Sequence, residues 1–179
     1  MIICDTYYKS SDPGMAHALA EILTDDTVII CIGTDKCIGD AVGPLVGTLL
    51  KHYGWSMPIY GTIDNPVHGL NIEEYIQFIN RIHPNQNVIA IDASLGKTAS
   101  SVGYIRTRTG AIKPGAGLGR EITPIGDYSI VGIIDYKEAN PMLMGIRLKT
   151  VMQMSDKIAR ALIQGYALRE ERKEMNILK

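Results

Sequence analysis

The stretch "VIICIGTDKCIGDAVGPLVGTLLKHY", Val28 to Tyr53, decides the fold. Its first five residues are apolar and mostly β-branched, the pattern of a strand buried on both faces. Gly33 ends that run, and a polar loop carrying Asp35, Lys36 and Asp40 follows, with Gly39 just before the last carboxylate. From Asp40 onward Val42, Leu45, Val46, Leu49 and Leu50 recur at helical spacing and Gly54 supplies a stop. Pro44 is tolerated because it falls in the first turn. Strand, glycine-rich loop, acid and helix in that order form one half of a βαβ unit, and Asp40 is expected to cap the helix.

The same alternation continues outward. "PIYGTI" reads as a short strand, "NIEEYIQFINRIHP" as a helix with Ile72, Tyr75, Ile76 and Ile79 on one side, and "NVIAIDAS" as a second buried strand with Asp92 directly after its apolar core. "SVGYIRTRTG" alternates as an antiparallel strand does, and "DYSIVGIID" is the last core strand. Upstream, Asp12 and Pro13 open a short helix whose face is Met15, Leu19, Ile22 and Leu23. From Pro141 the series Met144, Leu148, Val151, Met152, Ile158, Ala161, Leu162 and Ala167 predicts a long C-terminal helix. Strands alternating with helices specify a three-layer α/β/α sandwich with a mostly parallel central sheet. The 179 residues, 46% of them hydrophobic, suit one domain spanning 1–179.

Composition narrows the function classes. Eighteen Lys and Arg against nineteen Asp and Glu give a formal charge of -1, so no global field recruits nucleic acid or an anionic membrane. No apolar run reaches the ~20 residues of a membrane span, and the N-terminal residues lack a charged leader and cleavage site, so export is not expected. Cys4, Cys31 and Cys37 form neither a C-x-x-C pair nor an even disulfide set, which fits a reducing cytoplasm. Apolar helix faces leave a homo-oligomer open.

Ligands of parallel sheets bind beyond the carboxyl ends of the strands, at a topological switch point. Asp40 and Asp92 both follow parallel-type strands and are expected to converge there. Either alone is an ordinary cap or turn residue. Together, two like charges raise one pKa and make an acid and a base that share a proton and can direct water at a peptide carbonyl. The second unusual feature is "GAIKPGAGLGREI", Gly110 to Ile122, where Lys113, Pro114, Gly115, Gly117 and Gly119 offer backbone N–H groups and a cation to an anion or an extended peptide. It is neither a P-loop nor a dinucleotide fingerprint, so no cofactor is expected. Of the four histidines, His68 is the one to watch as a metal partner of Asp40 and Asp92; no H-E-x-x-H or i,i+4 pair exists, and no metal site is assigned. Cys31 reads as buried and inert, and Cys37 lacks a placed base.

These residues resemble a known group. "IGTDKCIGDAVGPLVG", "VIAIDASLG" and "GAIKPGAGLGREITPIGDYSIVGIID" together look like the YyaC-type sporulation proteins of spore-forming bacteria, over nearly the whole chain. The same blocks are similar to parts of the spore germination protease. Its D-A-x-G-P element is matched by Asp40 to Pro44, its I-D-A element by Ile91 to Ala93, and its P-G-[SA]-G-x-G loop by Pro114 to Gly119. The loop–acid–helix pattern is more distantly similar to hydrogenase maturation proteases. The resemblance implies a phosphorylase/hydrolase-like three-layer fold, a protein or peptide substrate, a cytoplasmic place in mother cell or forespore, and Asp40 and Asp92 as an atypical aspartic peptidase pair. The nickel triad of the maturation proteases includes a downstream histidine, and no histidine follows His83 here. Two other functions stay open at this level: a non-catalytic peptide- or protein-binding descendant, and an anion or nucleotide sensor using the 110–120 loop.

Overall fold

A computed structural model describes residues 5–9, 12–114, 122–136 and 146–177, and among these described residues there are six strands and four α-helices. The strands are β1 (Thr6–Lys9), β2 (Val28–Cys31), β3 (Ile59–Tyr60), β4 (Val88–Gly96), β5 (Tyr104–Thr109) and β6 (Tyr128–Tyr136). The helices are α1 (Gly14–Ala20), α2 (Val42–His52), α3 (Ile72–Ile82) and α4 (Leu148–Ile177). The sheet order is β1-β5-β6-β4-β2-β3, with β3, β2, β4 and β6 parallel and β5 and β1 added antiparallel at one edge.

The central strands alternate between two cores because successive side chains leave a strand on opposite faces. Ile29, Cys31, Ile89 and Ile91 pack with α1, α2 and α4, whereas Val28, Ile30 and Ala90 pack with Ile72, Ile76 and Ile79 of α3 and with Ile112, Ile122 and Ile125. These are the two outer layers of the expected α/β/α sandwich. From β2 the chain moves to β3 on one side and then returns to β4 on the other, with α2 and α3 on opposite faces. The order therefore reverses between β2 and β4, and in sheets of this kind ligands bind beyond the carboxyl ends of the strands at such a point.

The strand β1 carries no sequence signal, since only Tyr8 of "TYYK" is buried, and it pairs with β5. Two expectations need correcting. The α4 stripe is Val151, Met154, Ile158, Ala161 and Leu162; Leu148 and Met152 are about half exposed, because the buried face is set by packing on Val42 and Gly132 rather than by the average period. Met144 and Pro141 lie outside the described residues, and Ala167 is exposed. Finally, Asp92 lies inside β4, which continues to Gly96 alongside β6, rather than after the strand.

Candidate functional site

Asp40 is set at the carboxyl end of the sheet by a turn that only glycine permits. At Gly33 the chain leaves the sheet with φ +134°, and a Cβ there would lie 2.0 Å from the Asp40 carbonyl oxygen. The Gly33 N–H donates to Val67 O at 2.7 Å, and the next N–H, of Thr34, donates to the Asp40 carbonyl at 3.1 Å. A 3-10 turn over Ile38–Asp40 then precedes α2. The capping role expected of Asp40 is not present. Ala41 is the cap residue and no side chain caps α2, since the 3-10 turn sets Asp40 one position too early. Its carboxylate is thereby left for something else. Gly39 is buried within that turn without a positive φ.

Asp92 comes from the neighbouring strand. Cys31 is opposite Ile91, so Asp92 is the first residue of β4 past the end of β2. It shares a pleat face with Val88 and Ala90, the α3 side. Its Oδ1 accepts the backbone N–H of its own neighbour Ala93 at 2.8 Å.

The two carboxyls lie within electrostatic reach of each other, and both hold protons more tightly than usual. Burial pushes Asp92 up to about 8, with the Asp40 charge adding to it and the Ala93 N–H opposing. Burial also pushes Asp40 up to about 6, while a backbone hydrogen bond from Thr34 and the nearby His68 ring favour its charged form. Between those values the pair carries one proton. Sequence reasoning missed the Thr34 and Ala93 N–H groups, because a backbone donor leaves no signal in residue type.

His68 lies within electrostatic reach of Asp40, on the segment that pairs beside β2 through the Ile32–Val67 bridge; its backbone N–H donates to Asn71 Oδ1 at 2.8 Å and its Nδ1 accepts from Leu70 N–H. Among the described residues no group of three or more His, Cys, Asp or Glu side chains is gathered to hold a metal ion. Cys31 is wholly buried and its thiol is pushed up by that burial; Cys37 is half-buried in the loop.

The glycine-rich segment is rooted at the opposite sheet edge, since Thr109 and Tyr128, which flank it, pair with each other at the amino end of β6. Its two legs join through reciprocal Ile112–Ile125 backbone bonds, and the Thr123 N–H reaches Glu73 in the first turn of α3 at 2.7 Å. Lys113 is exposed and Pro114 buried; Gly115, Gly117, Gly119 and Arg120 lie outside the described residues. A shallow groove of about 450 Å³, lined by Asn80, His83, Gln86, Val88 and Asp127, also lies at the amino edge, away from the two carboxyls.

Comparison with known proteins adds the following. Residues 6–161 match the family model described as "Protein of unknown function (DUF1256)". The chain is 36% identical over 167 residues to "Uncharacterized protein YyaC" of Bacillus subtilis (strain 168), covering 87% of this chain and 81% of that one. Among solved structures it is similar to the [NiFe] hydrogenase maturation protease HycI of Thermococcus kodakarensis KOD1, with a TM-score of 0.48 and 18% identity, over 81% of this chain and 98% of that one. Among the described residues no helix is long and apolar enough to cross a membrane.

Proposed function

This chain belongs to the DUF1256 family, and for it we propose an aspartate-dependent endopeptidase activity in which Asp40 and Asp92 share one proton. The reading is supported by two carboxyls from different elements, both raised by burial and within electrostatic reach of each other, at the carboxyl end of a parallel sheet. A peptide substrate, a spore protein in particular, follows from the resemblance of Asp40–Pro44 and Ile91–Ala93 to the germination protease, as does a place in the mother cell or forespore.

Near neutral pH Asp40 is the ionised member and Asp92 the protonated one. Asp40 removes a proton from water as the oxygen forms its bond to the peptide carbonyl carbon. Asp92 gives its proton to the leaving nitrogen as the C–N bond breaks. The proton gained by Asp40 then restores Asp92, directly or through solvent, and the cycle closes without a cofactor.

The test is cleavage of proteins extracted from spores by the unsubstituted chain and by Asp40→Asn and Asp92→Asn. Each substitution is expected to lower the rate by roughly 10²–10⁴-fold with circular dichroism unchanged. The rate of the unsubstituted chain should be bell-shaped in pH, highest between about 6 and about 8. Cleavage retained in both variants removes the mechanism.

A further inference from the structure

We infer that the face of β5 and β1 carrying Lys9, Arg106 and Arg108 is an anion-reading surface that binds acidic protein segments and presents them to the Asp40–Asp92 site. The inference rests on the proposed function for the cutting of the segment, and on this face alone for its binding.

The face follows from register, because residues directly opposite each other in a sheet put their side chains on the same side. Asp92 is opposite Val131, Val131 is opposite Arg106, and Arg106 is opposite Tyr7. One row of side chains therefore runs from Asp92 to the edge strand. Two residues along, the same face carries Arg108, opposite Ser129, and in the other direction Lys9, opposite Tyr104. The intervening Tyr8 and Ile105 turn to the other side and join the core with α1, α2 and α4. On the Asp92 side the α3 cluster reaches across the sheet only as far as Val131. Tyr7 and Lys9 are exposed and Tyr104, Arg106 and Arg108 only partly buried, so among the described residues this end of the sheet has no helical cover on that side.

The charge of the face is one-sided. Of its three cations only Arg106 is paired with a carboxylate among the described residues, and that carboxylate is Asp5, just before β1. Arg106 forks onto both Asp5 oxygens through Nε and a terminal nitrogen, the bidentate match of guanidinium to carboxylate. The protein thus already seats one carboxylate here. Arg108 is held ready without one: it donates to Ser129 Oγ at 3.2 Å and to the Ala111 carbonyl at 2.7 Å, with further N–H groups to spare. Lys9 lies 5.7 Å from the centre of the Tyr104 ring and Arg106 5.5 Å from that of Tyr7. The two rings are engaged by the protein's own cations, which favours carboxylates over stacked bases as the bound groups.

The row also sets a spacing. Neighbouring strands stand about 4.8 Å apart, so Arg106 is about 10 Å from Asp92, and an extended segment advances about 3.3 Å per residue. An acidic side chain read by Arg106 or Arg108 then stands roughly three or four residues from the bond held at the carboxyl pair.

The test is fluorescence anisotropy of labelled, capped decapeptides with the Asp40→Asn chain, which removes turnover from the measurement. One probe carries two adjacent glutamates in a serine–alanine background, a second carries glutamines in their place, and a third is a ten-nucleotide single strand of thymidine. The glutamate peptide is expected to bind about tenfold or more tighter than its glutamine twin, and the preference to fall below about threefold when Arg106→Gln and Arg108→Gln are combined. Circular dichroism should be unchanged, since an exposed ion pair adds little stability. Asp5→Asn, which frees Arg106, should tighten the glutamate peptide further. Equal binding of the two peptides, a preference that survives the double substitution, no gain from Asp5→Asn, or tighter binding of the oligonucleotide than of the glutamate peptide overturns the inference. Selective binding without cleavage by the unsubstituted chain would uphold the surface and remove the peptidase; cleavage without selective binding would do the reverse.

Discussion

Gly33 carries a constraint that no other residue type meets, because its positive φ and the Asp40 carbonyl 2.0 Å from a would-be Cβ act together. Gly33→Ala is expected to cost on the order of 2–4 kcal/mol, read from urea unfolding; a loss under ~1 kcal/mol would mean that the turn adjusts freely. The carboxyl pair leaves its own mark on stability. Both folded-state pKa values lie above the ordinary 3.8, so the protonated forms add stability that is fully present below that pH and is lost as pH rises through about 6 for Asp40 and about 8 for Asp92. Asp5 and Asp25, held low by Arg106 and by Arg169 with Lys173, act in the opposite sense and only in acid. Asp92→Asn, a neutral isostere, should therefore melt higher than the unsubstituted chain at pH 8, by roughly 2–4 °C for each ~1 kcal/mol recovered, with the gap closing below pH 4. An equal gap at both pH values would point to packing rather than charge. The residues of this pair were legible because they stand where strand patterns end. Their environment was not, since burial and the Thr34 and Ala93 donors depend on how distant segments meet.

Elements were legible in proportion to their burial. β2 and α2 show apolar patterns because both pack fully against the core, and α3 does so through Ile72, Ile76 and Ile79. β1 stayed hidden because an edge strand of four residues needs only one buried side chain. It is fixed instead by its ladder to β5, by the Arg106–Asp5 ion pair and by the Arg106 guanidinium 5.5 Å from the Tyr7 ring. In α4 the choice between Met152 and Met154 is decided by Gly132, whose missing side chain lets the Met154 sulfur lie 2.3 Å from where a Cβ would be. Met154→Ala is expected to cost about 2–5 kcal/mol and Met152→Ala within ~0.5 kcal/mol, by thermal or chemical denaturation. Equal losses would place the stripe wrongly.

At the scale of the molecule, the sheet order brings the Asp40 loop and the Asp92 strand to the same end of the sheet. The reversal between β2 and β4 puts the loop after one strand against the overhang of the next, and no local pattern in the sequence encodes which side β3 takes. The parallel core, its two helical layers and the common carboxyl end of the two aspartates followed from alternation, whereas the strand order did not. Whether Asp40 and Asp92 hold one proton between them is decided by following their side-chain carboxyl carbons by NMR from pH 3 to 10, in the unsubstituted chain and in Asp40→Asn. Both carboxyls are predicted to titrate above the ordinary range, Asp92 the higher, and Asp92 should fall when Asp40 loses its charge while remaining raised by burial. Independent titration of both near 4, with Asp92 unmoved by Asp40→Asn, would contradict it.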